Sequence, residues 1–233
     1  MMDLRNPTAV SDYQVREQDF LTRVYGWMCF ALTVTGLVAL YVASTPTLVR
    51  AVATNQMLFF GLIITEIVAV IALTAAINKI SMATAVLLFI GYSALNGVTL
   101  SVILLIFTAT SVASTFFATA ATFAVMSCVG WYTKKDLTSI GNLCFMALIG
   151  IIIASLVNIF LQSSMMYWIV TYIGILIFVG LIAYDTQKIK KMSTTIETDS
   201  EAGKKTAIMG ALALYLDFIN LFLLLLRLFG NRR

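Results

Sequence analysis

Seven long apolar runs constrain the fold of this chain more than any other feature of its sequence. A helix needs about 20 apolar residues to cross the hydrocarbon core of a bilayer, and each run has roughly that length. The runs are Leu21 to Ala43, Met57 to Ile77, Ser81 to Phe107, Ser111 to Tyr132, Asn142 to Leu161, Met165 to Tyr184 and Ala207 to Phe229. The sequence therefore predicts an all-α polytopic membrane protein, a seven-helix transmembrane domain at residues 21–233 behind a polar N-terminal tail at residues 1–20.

The composition supports this class and excludes several others. The chain is 61% hydrophobic and 11% charged, whereas soluble domains are about 45–50% apolar and about 25% charged. It has no histidine, which excludes Ser-His-Asp triads, HExxH zinc sites and haem histidines. The three cysteines lie inside apolar runs, where they act as small hydrophobic residues rather than as a disulfide framework.

Lysine and arginine in the short loops predict the orientation. Lys79, Lys134, Lys135 and a cluster of lysines after the sixth run lie on one side, whereas Arg50 is the basic residue of the opposite loops. The positive-inside rule then places the N-terminus in the cytoplasm. Because these charges follow the topology, we interpret the net charge of +4 as a membrane signal and expect no nucleic-acid partner.

Two acidic residues lie deep inside apolar runs. Glu66 is near the centre of the second run and Asp217 near the centre of the last. A charge at that depth costs about 2.5–3.5 kcal/mol and usually marks an ion pathway or a proton relay. Asn96 in the third run and Asn220, one helical turn beyond Asp217, add polar groups. We assign Glu66, Asn96 and Asn220 to an ion pathway. The alternative is that these acids and amides only form hydrogen bonds that specify how the helices pack.

Asp185 ends the sixth run in the segment "GLIAYDTQKIKK". Its position alone indicates an interfacial acid that pairs with the lysines after it. The following segment, "KKMSTTIETDSEAGKK", has acidic residues at every second position but lacks the spacing of a calcium-binding loop. We interpret it as a solvated linker.

At "AYDTQKI" (Ala183 to Ile189) and "LYLDFINLFLLLLRLFG" (Leu214 to Gly230) the sequence resembles the Bax inhibitor-1 family, the transmembrane Bax-inhibitor-motif proteins, and in particular its bacterial members. The resemblance covers nearly the whole chain. It implies a last helix surrounded by the other six, a location in the cell inner membrane and a pH-sensitive calcium leak. The family also leaves open a proton-coupled calcium exchanger, or a protein that modulates stress, proteolysis or cell death through membrane protein partners.

The resemblance also implies roles for individual residues. Asp185 and Asp217 would form a di-aspartyl sensor that shares protons, Glu66 would line the calcium path, and Lys79 is the candidate for the basic latch of the closed state. Two carboxylates a few ångströms apart do not both ionise easily, so their titration belongs to the pair. Calcium prefers oxygen ligands, which makes Asp185, Asp217 and Glu66 its expected ligands and calcium ions and protons the expected partners, with no cofactor.

The pairing of Asp185 with Asp217 sets a geometric condition. If the last helix enters the membrane at Ala207, Asp217 lies about 15 Å below the surface, too far from an interfacial Asp185. We therefore expect either that this helix is shifted so that Asp217 rises, or that a water-filled cytoplasmic crevice reaches both acids.

An intramembrane aspartyl protease would also carry one aspartate on each of two neighbouring spans. Such proteases have Gly-x-Gly-Asp at the second acid, where this chain has Leu214-Tyr215-Leu216-Asp217, and they have a later Pro-Ala-Leu, where this chain has no proline after Pro46. We therefore expect that the protein is not an enzyme.

Overall fold

Eight α-helices make up most of residues 7–194 and 196–232, the part of the chain that the computed structural model describes, with side chains from residue 16. They are α1 (Pro7–Ser44), α2 (Pro46–Thr54), α3 (Gln56–Ala76), α4 (Met82–Ile106), α5 (Ala109–Tyr132), α6 (Thr138–Leu161), α7 (Ser164–Ser193) and α8 (Glu201–Phe229). All except α2 contain a segment long and apolar enough to cross a membrane. The protein is thus an all-α polytopic membrane protein, as predicted.

The N-terminal third differs from the predicted spans in two places. Helix α1 begins at Pro7, so the helix continues through most of the segment predicted as a polar tail. Residues 1–6 lie outside the described residues, and the tail's cytoplasmic location stays a prediction. The short α2 has no counterpart among the predicted spans; it begins with Pro46 at the first helical position, where a missing N–H costs no helical hydrogen bond. The Asn55 side chain then accepts from the Leu58 N–H at 3.0 Å and caps α3.

Helix α7 continues nine residues past Tyr184, the predicted end of the sixth span, and ends at Ser193. Hydropathy falls at the first lysine, but lysine is a good helix former, and lysines in a last turn interact favourably with the helix dipole. Lys190 and Lys191 occupy that last turn. Asp185 therefore lies inside a helix, two turns before its end, rather than at a helix terminus.

The chain divides into two compact units, which α7 and α8 both enter. One consists of the chain up to Ile106 together with residues 189–212. In this unit α1 packs closely on α4: the Thr35 hydroxyl donates to the Ser93 carbonyl at 2.9 Å, and a Cβ on Gly97 would lie only 2.6 Å from the Thr35 carbonyl oxygen. Small residues at such contacts let two helix backbones approach closely.

The other unit consists of residues 107–188 and 213–233. Its aromatic side chains connect α5 to α8. The centre of the Phe218 ring lies 5.4 Å from that of Phe116 and 5.6 Å from that of Phe123, in edge-on contacts. Helix α8 is the most enclosed of the spans: 67% of its most apolar segment is buried, against 39% or less in the others. This burial agrees with the enclosed last helix that the resemblance implies.

Gly130 on α5 provides a test of the close packing in this second unit. A Cβ at Gly130 would collide with the backbone carbonyl of Ala183 on α7, whereas a Cβ at Gly150 on α6 meets nothing within 4 Å. We expect Gly130→Ala to destabilise the folded protein by about 1–3 kcal/mol through overpacking. Gly150→Ala is the matched control and should be neutral or slightly stabilising, because alanine favours a helix over glycine. Thermal unfolding in detergent measures both, and equal melting temperatures for the two variants would contradict this packing.

Candidate functional site

The candidate site lies between α7 and α8, which run antiparallel, and their register determines which residues face each other. Toward one end, a Cβ on Gly210 would lie 3.2 Å from Ile189; toward the other end, a Cβ on Gly174 would lie 2.9 Å from Leu224. Asp185 on α7 and Asp217 on α8 both lie between these two contact levels. The register thus brings both acids to the same depth in the helix pair.

Asp185 and Asp217 are hydrogen-bonded to each other through their carboxyl groups. Such a bond requires a proton on one of the two, because an ionised carboxylate has no hydrogen to donate. The Asp217 side chain is buried, with 5% of its surface exposed, and its Oδ2 has no hydrogen-bond partner among the described residues. The positive charge of Lys188 acts on Asp185 from one turn along α7. The structure therefore brings the two predicted aspartates together, and Asp185 lies well inside α7, which continues to Ser193.

A cavity of about 840 Å³ opens onto this aspartate pair between α6, α7 and α8. Asn142, Asp185 and Lys188 lie along the part of the cavity near the pair, and Arg227 lies toward the other end. Along α8 the lining runs from Ala213 to Arg227, a length of about 21 Å at 1.5 Å per residue. The cavity therefore extends over much of the thickness of a bilayer core, which is about 30 Å.

Gln187 fixes the helix that carries Asp185 to the connection between α5 and α6. Its side-chain oxygen accepts from the Leu137 N–H at 2.9 Å, and its amide nitrogen donates to the Lys135 carbonyl at 2.9 Å. The amide thus uses both its oxygen and its nitrogen, and the residue is 6% exposed. Sequence reasoning missed Gln187, since a glutamine beside a lysine-rich helix end carries no signal of its own.

Glu66 lies in a second polar cluster, between α3 and α4. The Thr99 hydroxyl donates to Glu66 Oε1 at 2.6 Å, and Asn96 Nδ2 donates to Glu66 Oε2 at 3.5 Å. Tyr92 is hydrogen-bonded to Asn96, whose buried Oδ1 has no hydrogen-bond partner in the described part of the chain. The structure thus unites Glu66 and Asn96. Tyr92 and Thr99 were missed, although they lie four residues before and three residues after Asn96, which places all three on one face of α4.

The remaining residues predicted for the site are Asn220 and Lys79. Asn220 lines the cavity beside Asp217, but its Nδ2 donates to the Leu216 carbonyl of its own helix at 2.8 Å. Lys79 lies in the turn after α3, and its role as a latch stays a prediction. Among the side chains described, residues 16–194 and 196–232, no three acidic, cysteine or histidine residues are grouped to hold an ion. Calcium ligation by Asp185, Asp217 and Glu66 also stays a prediction.

These features define a class: polytopic α-helical membrane proteins with a hydrogen-bonded aspartate pair on two adjacent spans. The family model described as "Inhibitor of apoptosis-promoting Bax1" matches residues 17–233. The chain is 52% identical to the inner membrane protein YbhL of Escherichia coli strain K12, over 93% of each chain. It is 45% identical to an uncharacterized protein of Borreliella burgdorferi, over 92% of each, and 45% identical to the uncharacterized protein RP147 of Rickettsia prowazekii, over 92% of this chain and 90% of the relative. The chain belongs to the Bax inhibitor-1 family.

Proposed function

We propose that this protein is a pH-sensitive calcium-permeable leak channel of the cell inner membrane, with its N-terminus in the cytoplasm and no enzymatic activity. The observation that supports the proposal is the hydrogen bond between the carboxyl groups of Asp185 and Asp217 beside a cavity. The relative from Escherichia coli carries the name of an inner membrane protein, which supports the location.

The aspartate pair acts as the proton sensor. With one shared proton, the pair has one negative charge and a hydrogen bond that joins α7 to α8. When that proton leaves, two carboxylates face each other, and like charges about 4 Å apart repel by about 4 kcal/mol at an effective dielectric constant of 20. When a second proton binds, the pair becomes neutral and its attraction to Lys188 is lost. Each change of proton occupancy alters the force between the two helices and so biases them between two arrangements.

The oxygen atoms of the two polar clusters suit a calcium ion as the permeant species. Calcium takes carboxylate and amide oxygens as ligands and accepts variable geometry. The aspartate pair and Asn220 supply such oxygens along the cavity, and Glu66 with Asn96 supplies a second set in the other unit. We assign Glu66 and Asn96 to the ion pathway and the aspartate pair to its control, with Lys79 as the latch of the closed state.

The test of this function is calcium flux through the purified protein in proteoliposomes with a trapped calcium indicator. We expect calcium to flow down its gradient with equal pH on both sides, at a rate that depends on that common pH. A flux that requires an opposing proton gradient would identify an exchanger instead. Protein-free flux rates at every pH would contradict both and would favour a protein that acts through membrane partners.

A further inference from the structure

The cavity has a part that the proposed proton sensor does not use. We call this part the outer half of the cavity: it lies between Asn220 and Arg227 along α8. The same level on α6 and α7 is marked by Ile151 and Gly174. A Cβ on Gly174 would lie 2.9 Å from Leu224 of α8 and 3.5 Å from Ile151 of α6. Its lining is almost wholly apolar, with Ile151, Ile152, Ser155, Leu156, Leu223 and Leu224. Aliphatic walls of this kind provide no ligand atoms for an ion, but they accommodate a hydrocarbon chain.

Arg227 provides a positive charge at the end of the outer half. Its guanidinium lies 4.7 Å from the centre of the Tyr167 ring, and its hydrogen bond to the Thr171 hydroxyl is long, at 3.5 Å. Among the described residues, no carboxylate forms an ion pair with it. A guanidinium has five N–H donors, so most of them remain available to a ligand in the cavity.

The aromatic residues around Arg227 indicate its depth in the membrane. Trp168 lies beside both Tyr167 and Tyr172, with ring centres 5.5 and 6.1 Å apart. Tryptophan and tyrosine are enriched at the interface between the hydrocarbon core and water, and arginine extends its charge to the same level. This cluster therefore places the guanidinium among the lipid headgroups, at the end of the cavity away from Lys188.

The distance along α8 from Arg227 to Asp217 matches one leaflet of a bilayer. Arg227 lies ten residues beyond Asp217 on the same helix, which corresponds to about 15 Å. Half of a hydrocarbon core of about 30 Å has the same length. The α6 side is accessible from the membrane, since Ile152 and Leu156 on the cavity wall are 51% and 56% exposed. A lipid chain can enter sideways and extend from Arg227 toward the aspartate pair.

We propose that the outer half of the cavity binds one anionic phospholipid of the surrounding bilayer. The Arg227 guanidinium binds the phosphate, for which its paired N–H donors are well suited, and one acyl chain lies along the apolar wall. Basic pockets between transmembrane helices recognise anionic headgroups in this way. The chain ends near Asn220, so the bound lipid covers the outer approach to Asp217. This site does not depend on the calcium flux proposed above.

The test is lipid retention by the full-length protein from nanodiscs of equal parts phosphatidylglycerol and phosphatidylethanolamine with identical oleoyl chains. After mild detergent extraction, native mass spectrometry counts the lipids retained by each chain. We expect about one retained lipid, with phosphatidylglycerol preferred about fivefold, the factor for one basic side chain acting on an anionic lipid. Arg227→Gln should remove the preference, and Arg227→Lys should keep part of it.

Two matched controls separate the headgroup site from the chain site. Arg50→Gln removes the same charge from α2, outside the cavity lining, and should retain the preference. Ser155→Phe fills the outer half and should lower retention of both lipids severalfold, whereas Ile153→Phe, at a position that does not line the cavity, should not. Equal retention of the two lipids by the unmodified protein, or an equal loss of preference in Arg227→Gln and Arg50→Gln, would overturn the proposal.

Discussion

Replacement of Asp217 by asparagine is expected to remove most of the pH dependence of calcium flux. Coupling free energies of about 1–3 kcal/mol correspond to changes of about 5- to 150-fold, so we expect the flux of the unmodified protein to change at least about fivefold across the titration of the pair. In Asp217→Asn the change should fall below about twofold, because a single carboxyl group remains and no proton is shared between two acids. The new amide can still donate to Asp185, which preserves the contact between α7 and α8. Initial flux rates in proteoliposomes at a series of pH values measure the effect.

The matched control for this prediction is Asp199→Asn. Asp199 is exposed, pairs with Arg23 at 2.7 Å and does not line the cavity, and exposed ion pairs contribute little. The control should keep the full pH dependence. Asp185→Asn should behave like Asp217→Asn, since the proton belongs to the pair. If the pH profile of Asp217→Asn matches that of the unmodified protein, the aspartate pair is not the proton sensor.

Replacement of Glu66 by glutamine is expected to lower calcium flux at least about tenfold at every pH, while the midpoint of the pH profile stays unchanged. Glutamine can keep the hydrogen bond from Thr99 but loses the negative charge that attracts a divalent cation, and a tenfold change requires only about 1.4 kcal/mol. An effect on rate without an effect on midpoint is the result that distinguishes a pathway residue from a sensor residue.

Two further variants identify the cause of that loss. Thr99→Val removes the hydroxyl that donates to Glu66 at 2.6 Å but keeps the charge, so its flux should fall less than in Glu66→Gln. Glu201→Gln removes an exposed carboxylate that pairs with Lys205 at 2.9 Å and should leave the flux unchanged. Unchanged flux in Glu66→Gln would exclude Glu66 from the pathway and leave its cluster as a packing feature of α3 and α4.

The sequence predicts the spans because hydropathy reports directly which segments can lie in a bilayer. It fails at the end of α7 because the end of lipid contact and the end of a helix are separate properties: the lysines after Asp185 leave the apolar run but continue the helix. Because α7 continues to Ser193, Asp185 lies inside its helix and at the level of Asp217 on α8. A hydropathy boundary locates membrane contact, and helix propensity with capping must locate the helix end.

The acids of the candidate site are visible in the sequence because an ionisable residue in an apolar run is rare. Their neutral partners are not visible. Thr99 meets Glu66 only through the packing of α3 on α4, and Gln187 meets the α5–α6 connection only through the position of α7. Such contacts depend on how each helix is rotated about its axis, and threonine, tyrosine and glutamine are too common in helices to indicate a partner on their own.

Infrared spectroscopy of the reconstituted protein detects a proton shared between Asp185 and Asp217, because the C=O stretch of a protonated carboxyl group is separate from the bands of a carboxylate. We expect a protonated-carboxyl band that titrates over the same pH range as the calcium flux and that is lost or shifted in both Asp185→Asn and Asp217→Asn. A band that is absent throughout that range, or one that neither substitution changes, would contradict a proton shared between Asp185 and Asp217.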